Sequence, residues 1–263
     1  MKLGFIGAGN MGSAIISGIL NKGALPADCI YVSRKHPEKG AELARKGVHI
    51  MKDNLSLVQA VDCVLLAVKP VYAADVIREV YDALNGKFVI SIIAGWTYEM
   101  LKDALPDAAR FVRVMPNICA QVLCSASAVC PNAACTPEQV ELVRAMFRSV
   151  GEVYDIPEAQ FSAFSALGGA SGAFVQIYID ALSSAGVKAG LSRALAQKIA
   201  CQATLGAAKL CQETGEHPMA LVDKVTSPGG TTIEGVHVLK KQGFESAVIE
   251  AVNAIIEKDK RLG

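Results

Sequence analysis

A glycine-rich segment close to the start of the chain has the spacing of a phosphate-binding turn. The letters Gly-Ala-Gly-Asn-Met-Gly begin at Gly7 and match G-x-G-x-x-G, after an apolar run and ahead of a helical pattern. In that setting Gly7 permits a tight turn, Gly9 lets the backbone reach a pyrophosphate, and Gly12 lets the helix pack on the strand. An ordinary glycine-rich turn is the alternative. The strand-to-helix context favours a dinucleotide site, where the helix N-terminus offers free N–H groups to the anion.

The end of the second predicted strand bears on which dinucleotide is bound. An NAD site usually carries an acidic residue there, about 20 residues after the glycine turn, to accept from the ribose 2′-hydroxyl. Here the strand ends in Ser33-Arg34, with no acid. A hydroxyl can donate to a 2′-phosphate, and a guanidinium can pair with it. We therefore expect NADPH, although a solvated basic turn is the alternative and Arg34 alone does not exclude NADH.

Three later strand ends are expected to meet at the same edge. They are Val68-Lys69-Pro70, Ala94-Gly95 and the segment from Arg113 to Asn117. Open α/β sheets bind their ligands at the carboxyl ends of the strands, so these residues are candidates to line a cofactor. Lys69 is either held over the cofactor or is plain surface, and Met115 and Pro116 offer apolar contacts to a ring.

A second chemical motif lies far along the chain. The segment from Val225 to Ile233 contains four hydroxyl residues and two glycines, and it precedes an amphipathic run with Glu234 in its first turn. We interpret it as a loop that leads into a helix N-terminus. Converging N–H and O–H groups there could bind a small carboxylate without a basic side chain. The alternative is a Ser/Thr cap followed by a glycine turn.

Cysteine and histidine spacing argues against a metal site. The chain has eight cysteines and four histidines, but it contains no C-x-x-C pair and no histidine pair at ligand spacing. We predict no metal. Cysteines in apolar runs behave as small hydrophobic residues.

The elements that position these motifs fall into two parts. Up to about residue 155, short Val- and Ile-rich runs alternate with amphipathic stretches such as 12–21 and 75–84, which predicts a doubly wound, Rossmann-type α/β sheet. The predicted strands are 3–6, 30–33, 63–68, 88–93 and 110–114, and the further runs 125–130 and 152–156 are expected to extend one edge of the sheet. Beyond Pro157 the strand signal stops and Ala-rich helical spacing takes over. We predict a dinucleotide-binding domain over 1–156 and an all-helical domain for substrate binding and oligomerisation over 157–263. The second part carries more apolar helix surface than a short bundle needs, which favours a subunit interface over a compact monomer.

Composition narrows the class of protein. The chain has 263 residues, of which 52 % are hydrophobic and 19 % charged, and its net charge is +1. A near-zero charge gives no broad footprint for nucleic acid or an anionic membrane. No stretch reaches the roughly 18 uninterrupted apolar residues of a membrane span, and the first residues are too short for an export signal. We expect a cytoplasmic enzyme without nucleic-acid or membrane partners.

The stretch from Pro218 to Lys240, PMALVDKVTSPGGTTIEGVHVLK, resembles the signature segment of the pyrroline-5-carboxylate reductases. The segments 186–193 and 206–209, the glycine turn, the Val68-Lys69-Pro70 edge and Met115-Pro116-Asn117 also resemble that family. The resemblance covers essentially the whole chain. It implies an oxidoreductase of proline biosynthesis that reduces 1-pyrroline-5-carboxylate to L-proline with NAD(P)H. It also implies dimers or higher assemblies through the helical half, with the site near the interface.

Given this substrate, each motif receives a role. The substrate carboxylate is expected on the backbone around Gly229, Gly230 and Thr231 and on the Ser227 and Thr232 hydroxyls, with Thr232 also contacting the ring nitrogen. The remaining assignments concern the cofactor. We expect the pyrophosphate to be bound by Gly7, Gly9, Asn10 and Met11. The 2′-phosphate is expected to be recognised by Ser33, Arg34 and Asn54. The nicotinamide ribose is expected to be lined by Val68, Lys69, Pro70, Ala94 and Gly95.

Two other functions remain open on the sequence. A β-hydroxyacid dehydrogenase shares this organisation but would need a lysine on the first long helix, and the stretch from Phe161 to Gly186 contains none. A non-enzymic NADPH sensor would need no carboxylate receptor.

Overall fold

The computed structural model describes residues 1–261 and contains an eight-stranded sheet followed by helices. The strands are β1 Leu3–Ile6, β2 Ile30–Ser33, β3 His49–Ile50, β4 Cys63–Leu66, β5 Phe88–Ser91, β6 Arg110–Met115, β7 Ser125–Pro131 and β8 Gly151–Asp155. The helices are α1 Asn10–Lys22, α2 Ala41–Arg45, α3 Asn54–Ala60, α4 Pro70–Val80, α5 Tyr98–Ala104, α6 Pro137–Arg148, α7 Phe161–Phe164, α8 Ser171–Lys188, α9 Arg193–Thr214, α10 Pro218–Val225, α11 Thr231–Lys241 and α12 Phe244–Lys260.

The sheet has the strand order β3-β2-β1-β4-β5-β6-β7-β8. Every neighbouring pair is parallel except β6 and β7, which run antiparallel. The order reverses between β1 and β4, and such a switch point is where doubly wound sheets open a crevice at their carboxyl edge. The predicted α/β class with a Rossmann-type sheet and a helical second part is confirmed.

The central strands are buried on both faces, which explains their continuous apolar sequences. Every residue of β1, β4 and β5 is buried. One core cluster packs around Ile15, Ile19 and Phe147 on one face, and a second packs around Leu57 and Ile77 on the other. Helices cover both sides because a parallel sheet of this kind has no face suited to water.

Two sheet features differ from the sequence-based expectation. β3 was not predicted, since it has only two residues, of which His49 is exposed. The strands β7 and β8 do extend one edge of the sheet as predicted, but the step from β6 to β7 reverses direction. A short turn over residues 116–124 replaces a crossover helix there, and Leu123 in it has a left-handed φ of 59°.

The chain divides into two compact units. The sheet unit comprises Met1–Gly169 together with residues 255–261, and the helical unit comprises Ala170–Ala254. Residues 157–169 group with the sheet because Phe161 packs on Ala128 and Cys130. The domain division at 156/157 stays a prediction, and residues 262–263 of its second domain lie outside the described residues.

The helical unit holds its helices together with few buried side chains. In α8–α12 the buried residues of the described chain are Ser183, Ala196 and Ala200. A Cβ on Gly186 would lie 3.0 Å from the Ala196 Cβ, so glycine permits the close approach of α8 and α9. Among residues 1–261 no helix is long and apolar enough to cross a membrane.

Candidate functional site

The glycine turn after β1 is shaped by two close backbone approaches. Gly7 has φ +93°, and a Cβ there would lie 2.6 Å from the Ala67 carbonyl oxygen at the end of β4. The Gly7 N–H donates to the Ser33 carbonyl of β2 at 2.9 Å. A Cβ on Gly12 would lie 2.8 Å from the Gly7 carbonyl oxygen. Only glycine fits Gly7 and Gly12 without displacing backbone, so these two residues set the shape of the turn.

Gly9 differs from Gly7 and Gly12 because no protein atom occupies the space that a side chain on Gly9 would fill. No protein atom lies within 4 Å of a Cβ built on Gly9, and Gly9 is exposed at the N-cap of α1 without a side-chain cap. Helix geometry leaves the first N–H groups of α1 without partners inside the helix. An exposed helix N-terminus with nothing above it is the arrangement that a pyrophosphate occupies, so these residues fit a dinucleotide.

A cleft of about 590 Å³ opens beside this turn. It is lined by four segments, of which 9–12, 67–70 and 92–95 follow β1, β4 and β5, and 113–116 is the end of β6 with the residue after it. Among the predicted cofactor residues, the cleft brings together Gly9, Asn10, Met11, Val68, Lys69, Pro70, Ala94 and Gly95. Lys69 is an exposed N-cap of α4 at the cleft rim. The cofactor contacts of these residues stay predictions.

The residues predicted to recognise the 2′-phosphate form a hydrogen-bonded group at the end of β2. The Ser33 hydroxyl donates to Asn54 Oδ1, and Asn54 Nδ2 donates to Glu79 Oε2 at 2.9 Å. Arg34 Nη1 donates to the Lys39 carbonyl at 2.8 Å. The structure therefore places Ser33 and Asn54 in contact, although they lie 21 residues apart in sequence. Glu79 was missed by the sequence analysis, because an acidic residue on an exposed helix face carries no signal of its own.

The wall of the cleft formed by β6 carries an ion pair that the sequence analysis also missed. Arg113 is 11 % exposed and pairs with Glu158, and its guanidinium lies 4.1 Å from the centroid of the Phe161 ring. The same Glu158 oxygen accepts from the Tyr98 N–H at 3.0 Å. The other oxygen, Oε2, is buried with no hydrogen-bond partner among the described residues. Burial raises the pKa of the neighbouring Cys130 thiol, and the Glu158 carboxylate raises it further, so this thiol is held neutral.

At the end of β6, two residues line the cleft and the next one is engaged by the sheet unit. Met115 and Pro116 line the cleft, as the apolar contacts suggested by the sequence require. Asn117 does not line it, since Nδ2 donates to the Gly168 carbonyl at 2.7 Å and Oδ1 accepts from the Cys119 N–H at 3.1 Å. Gly168 belongs to a π-helical stretch, Ser165–Ala170, in which Asn117 supplies an extra donor to the backbone.

In the helical unit the hydroxyl-rich segment forms a tight turn and then a helix. The Gly230 N–H donates to the Ser227 carbonyl at 2.9 Å, and Gly229 has φ +68°. Proline at position 228 followed by this glycine is the sequence of a type II turn. The Gly230 N–H is thus engaged within the turn. Thr226 Oγ1 donates to the Val222 carbonyl at 3.0 Å and so belongs to the end of α10.

The N-terminus of α11 leaves donors exposed. α11 begins at Thr231, its N-cap Gly230 provides no side-chain cap, and Glu234 lies in its first turn as predicted. The first N–H groups of this helix have no partner within it, and Ser227, Thr231 and Thr232 are exposed. The basic residue that precedes the turn, Lys224, pairs with Glu216 at 2.6 Å. The predicted substrate residues therefore form one group, and their roles stay predictions.

Two family models match the chain in order. Residues 2–95 match the family described as NADP oxidoreductase coenzyme F420-dependent. Residues 158–262 match the family described as pyrroline-5-carboxylate reductase dimerisation. The first match contains the glycine turn and most of the cleft, and the second contains the hydroxyl-rich turn.

Relatives and solved structures extend the likeness over the whole chain. The pyrroline-5-carboxylate reductase of Escherichia coli is 41 % identical, with 99 % of this chain and 98 % of the relative covered. A pyrroline-5-carboxylate reductase structure from Coxiella burnetii has a TM-score of 0.94 at 32 % identity, covering 100 % of this chain and 98 % of the other. The structure of Plasmodium falciparum pyrroline carboxylate reductase with NADP bound has a TM-score of 0.90 at 30 % identity, with coverage of 100 % and 98 %. On this full-length similarity, the chain belongs to the pyrroline-5-carboxylate reductase family.

Proposed function

We propose that this protein reduces 1-pyrroline-5-carboxylate to L-proline with NADPH, the last step of proline biosynthesis. The observation that carries the proposal is the cleft at the carboxyl edge of β1, β4, β5 and β6, which the uncapped N-terminus of α1 lines. The chain that contains it is 41 % identical to a pyrroline-5-carboxylate reductase. A hydride donor bound there supplies the two electrons that the C=N bond takes up.

The residues of this chain bind and orient the dinucleotide. Gly9 and the first N–H groups of α1 hold the pyrophosphate, because Gly9 leaves room for the phosphate oxygens and the helix end attracts their charge. Ser33, Arg34 and Asn54 face the ribose 2′ position, where the Arg34 guanidinium favours NADPH, while NADH can use the same cleft. Ala94 and Gly95 lie at the end nearer the nicotinamide ribose.

The substrate carboxylate binds at the turn before α11. Its donors are the N–H groups at the start of α11 and the Ser227 and Thr232 hydroxyls. The Gly230 N–H contributes less than the sequence analysis assigned to it, because it already donates to the Ser227 carbonyl. Thr232 contacts the ring nitrogen and passes a proton to it when one is needed.

The chemistry places modest demands on the protein. Addition of hydride to a C=N carbon is easier when the nitrogen carries a proton, and a cyclic imine gains that proton from water. The main contribution of the chain is then to hold the imine carbon against the nicotinamide and to exclude water from the pair. No cysteine is needed as a nucleophile, which agrees with the raised thiol pKa of Cys130.

We further propose that the protein works as a dimer or a dimer-based assembly through the helical unit, and that it is located in the cytoplasm. The match of residues 158–262 to a dimerisation family supports the first point. The eight cysteines, all free in the structure, support a reducing compartment.

The test is oxidation of NADPH by the purified protein on addition of 1-pyrroline-5-carboxylate, with proline identified by mass spectrometry. We expect one proline per NADPH consumed and a higher kcat/KM with NADPH than with NADH. A parallel reaction with NADP⁺ and small β-hydroxy acids should show no reduction of the cofactor. Cofactor turnover only in the second system, or in neither, would refute the proposal.

A further inference from the structure

Glu79 lies next to the group that faces the ribose 2′ position, and nothing in the reaction assigns it a role. It is an exposed residue of α4, and its Oε2 accepts from Asn54 Nδ2 at 2.9 Å. Asn54 in turn accepts from the Ser33 hydroxyl through Oδ1. Ser33 is only 1 % exposed, so few other hydrogen-bond acceptors are within reach of its hydroxyl. The three side chains form one directed chain of hydrogen bonds that ends on a carboxylate.

The direction of this chain matters for what can bind beside it. A ribose 2′-hydroxyl can both donate and accept, whereas a 2′-phosphate carries no more than one proton near neutral pH and acts chiefly as an acceptor of hydrogen bonds. In the observed network the single proton of Ser33 is given to Asn54, and one of the two Asn54 N–H groups is given to Glu79. The network is therefore better supplied with lone pairs than with free donors, which suits a hydroxyl more than a phosphate.

Glu79 also prevents the network from reversing. If the Asn54 amide turned over, its Nδ2 would face Ser33 and would free the hydroxyl proton for a phosphate. The turned amide would place Oδ1 against the Glu79 carboxylate, and two acceptors facing each other repel. The carboxylate adds its own repulsion of a phosphate dianion. Arg34 acts in the opposite sense, since one of its N–H groups is used on the Lys39 carbonyl and the others remain for an anion.

We infer that Glu79 is a specificity-determining residue, which holds the Asn54 amide in the orientation that favours a 2′-hydroxyl and so limits the preference for NADPH over NADH. The inference rests on the proposed placement of the ribose at Ser33, Arg34 and Asn54. Glu79 acts through Asn54 and through its charge, and it does not touch the reacting atoms.

The test is direct binding, measured by fluorescence titration of NADPH and NADH in the absence of substrate. Glu79→Gln keeps an acceptor for Asn54 and adds a donor that tolerates the turned amide. We expect it to tighten NADPH about fivefold and to change NADH by less than about twofold. Asp75→Asn is the matched control, because Asp75 is an exposed carboxylate on the same helix that pairs with Arg78 instead. It should leave the ratio of the two dissociation constants unchanged.

Further variants test the role of Glu79 separately from the proposed position of the 2′-phosphate. Arg34→Ala should weaken NADPH far more than NADH, and an equal loss of both would refute the placement of the 2′-phosphate. If Arg34→Ala is selective but Glu79→Gln shifts both cofactors equally, or neither, the role of Glu79 alone is overturned. If Asp75→Asn raised the affinity for NADPH as much as Glu79→Gln does, the role of Glu79 would also be overturned. The effect would then come from the loss of a negative charge and not from the contact with Asn54. The NADPH gain of Glu79→Gln should also survive in part at high salt, since amide orientation is not screened.

Discussion

The sheet unit and the helical unit of this molecule differ in how much of their surface the chain itself covers. The sheet unit buries its central strands on both faces and gathers four strand ends into one cleft, all from a single chain. The helical unit has no buried residue in α10 or α11, and Ser227, Thr231 and Thr232 in its turn are exposed. The cleft is thus complete within one chain, whereas the helical unit leaves apolar surface that its own chain does not cover.

The exposed apolar surface of the helical unit indicates what covers it. Ile177 is 69 % exposed, Leu205 59 % and Ile249 60 %. Each such side chain gains about 1.5–3 kcal/mol when it is fully buried. Exposed apolar surface on this scale is typical of an interface, and residues 158–262 match a dimerisation family. Association would therefore stabilise this unit more than the sheet unit.

The largest expected effect comes from a charge on that surface. Leu205→Glu should convert the assembly to monomers, because burying an unpaired carboxylate opposes association. Reductase activity at low protein concentration should fall by about 100-fold, as for a central interface residue. Size-exclusion chromatography with light scattering and NADPH titration would measure the two units separately.

The matched control is Lys209→Glu on the same helix, where the position is already charged and pairs with Glu213. This variant should remain assembled and active. A Leu205→Glu protein that stays assembled, or that loses NADPH binding in parallel, would contradict the assignment of this face to association.

The next effect concerns the turn before α11. Thr232→Ala should lower kcat/KM for the imine by about 10- to 100-fold, the usual loss for a hydrogen bond to a charged group. The dissociation constant for NADPH should be unchanged, since the sheet unit is untouched. Thr214→Ala is the control, because its hydroxyl donates to the Leu210 carbonyl at the end of α9. Unchanged steady-state kinetics of the Thr232 variant would remove this residue from the site.

Two alanine substitutions test the separate roles of Gly9 and Gly12 in the sheet unit. Gly9→Ala meets no protein atom and keeps φ −75°, ψ −162°, which alanine adopts freely, so folding should be unaffected. NADPH should bind roughly tenfold more weakly or worse, because the methyl group occupies the phosphate position. Gly12→Ala should instead lower Tm, since its Cβ would lie 2.8 Å from the Gly7 carbonyl oxygen. Calorimetry and NADPH titration that gave the same result for both variants would contradict these distinct roles.

The smallest effect is a pH dependence confined to the sheet unit. The Asp53 carboxylate accepts from the Ser56 N–H at 2.7 Å and caps α3, the helix that carries Asn54. Hydrogen bonds from Ser56 lower its pKa below the usual 3.8. A lowered folded-state pKa contributes stability above the unfolded pKa, and that contribution is lost as pH falls through the folded value. The Tm difference between the protein and Asp53→Ala should be a few degrees or less and constant above about pH 5, and should shrink below about pH 4. A difference that grew at low pH would contradict the sign.

The strands of the sheet could be predicted closely from the sequence. Buried strands such as Leu3–Ile6 and Ile30–Ser33 were located to the residue because short, continuous Val- and Ile-rich runs between turns are typical of strands buried on both faces. α1 begins at Asn10, two residues before the stretch expected from periodicity, because Gly9 already caps it. The reversal between β6 and β7 has no local signal, since it depends on a strand order that only the assembled sheet defines.

Contacts between distant residues account for what could not be predicted from the sequence. Arg113 and Glu158 are 45 residues apart, and Asn54 and Glu79 are 25 apart, so neither pair forms a motif. The glycine turn and the hydroxyl-rich turn could be found because each keeps its chemistry in consecutive residues. The hydrogen bond from the Gly230 N–H to the Ser227 carbonyl could not be predicted for a different reason. It depends on the backbone angles of the turn rather than on residue types.

The uncapped start of α11 has a consequence for how the product leaves. The segment 225–233 contains no lysine or arginine, and Lys224 is engaged by Glu216. Helix-end dipoles and hydroxyls attract an anion less strongly than the full positive charge of a guanidinium does. In the proposed site, proline would therefore dissociate quickly, and its release would respond little to ionic strength. Turnover would then be limited by exchange of the nicotinamide cofactor, for which many more contacts are proposed.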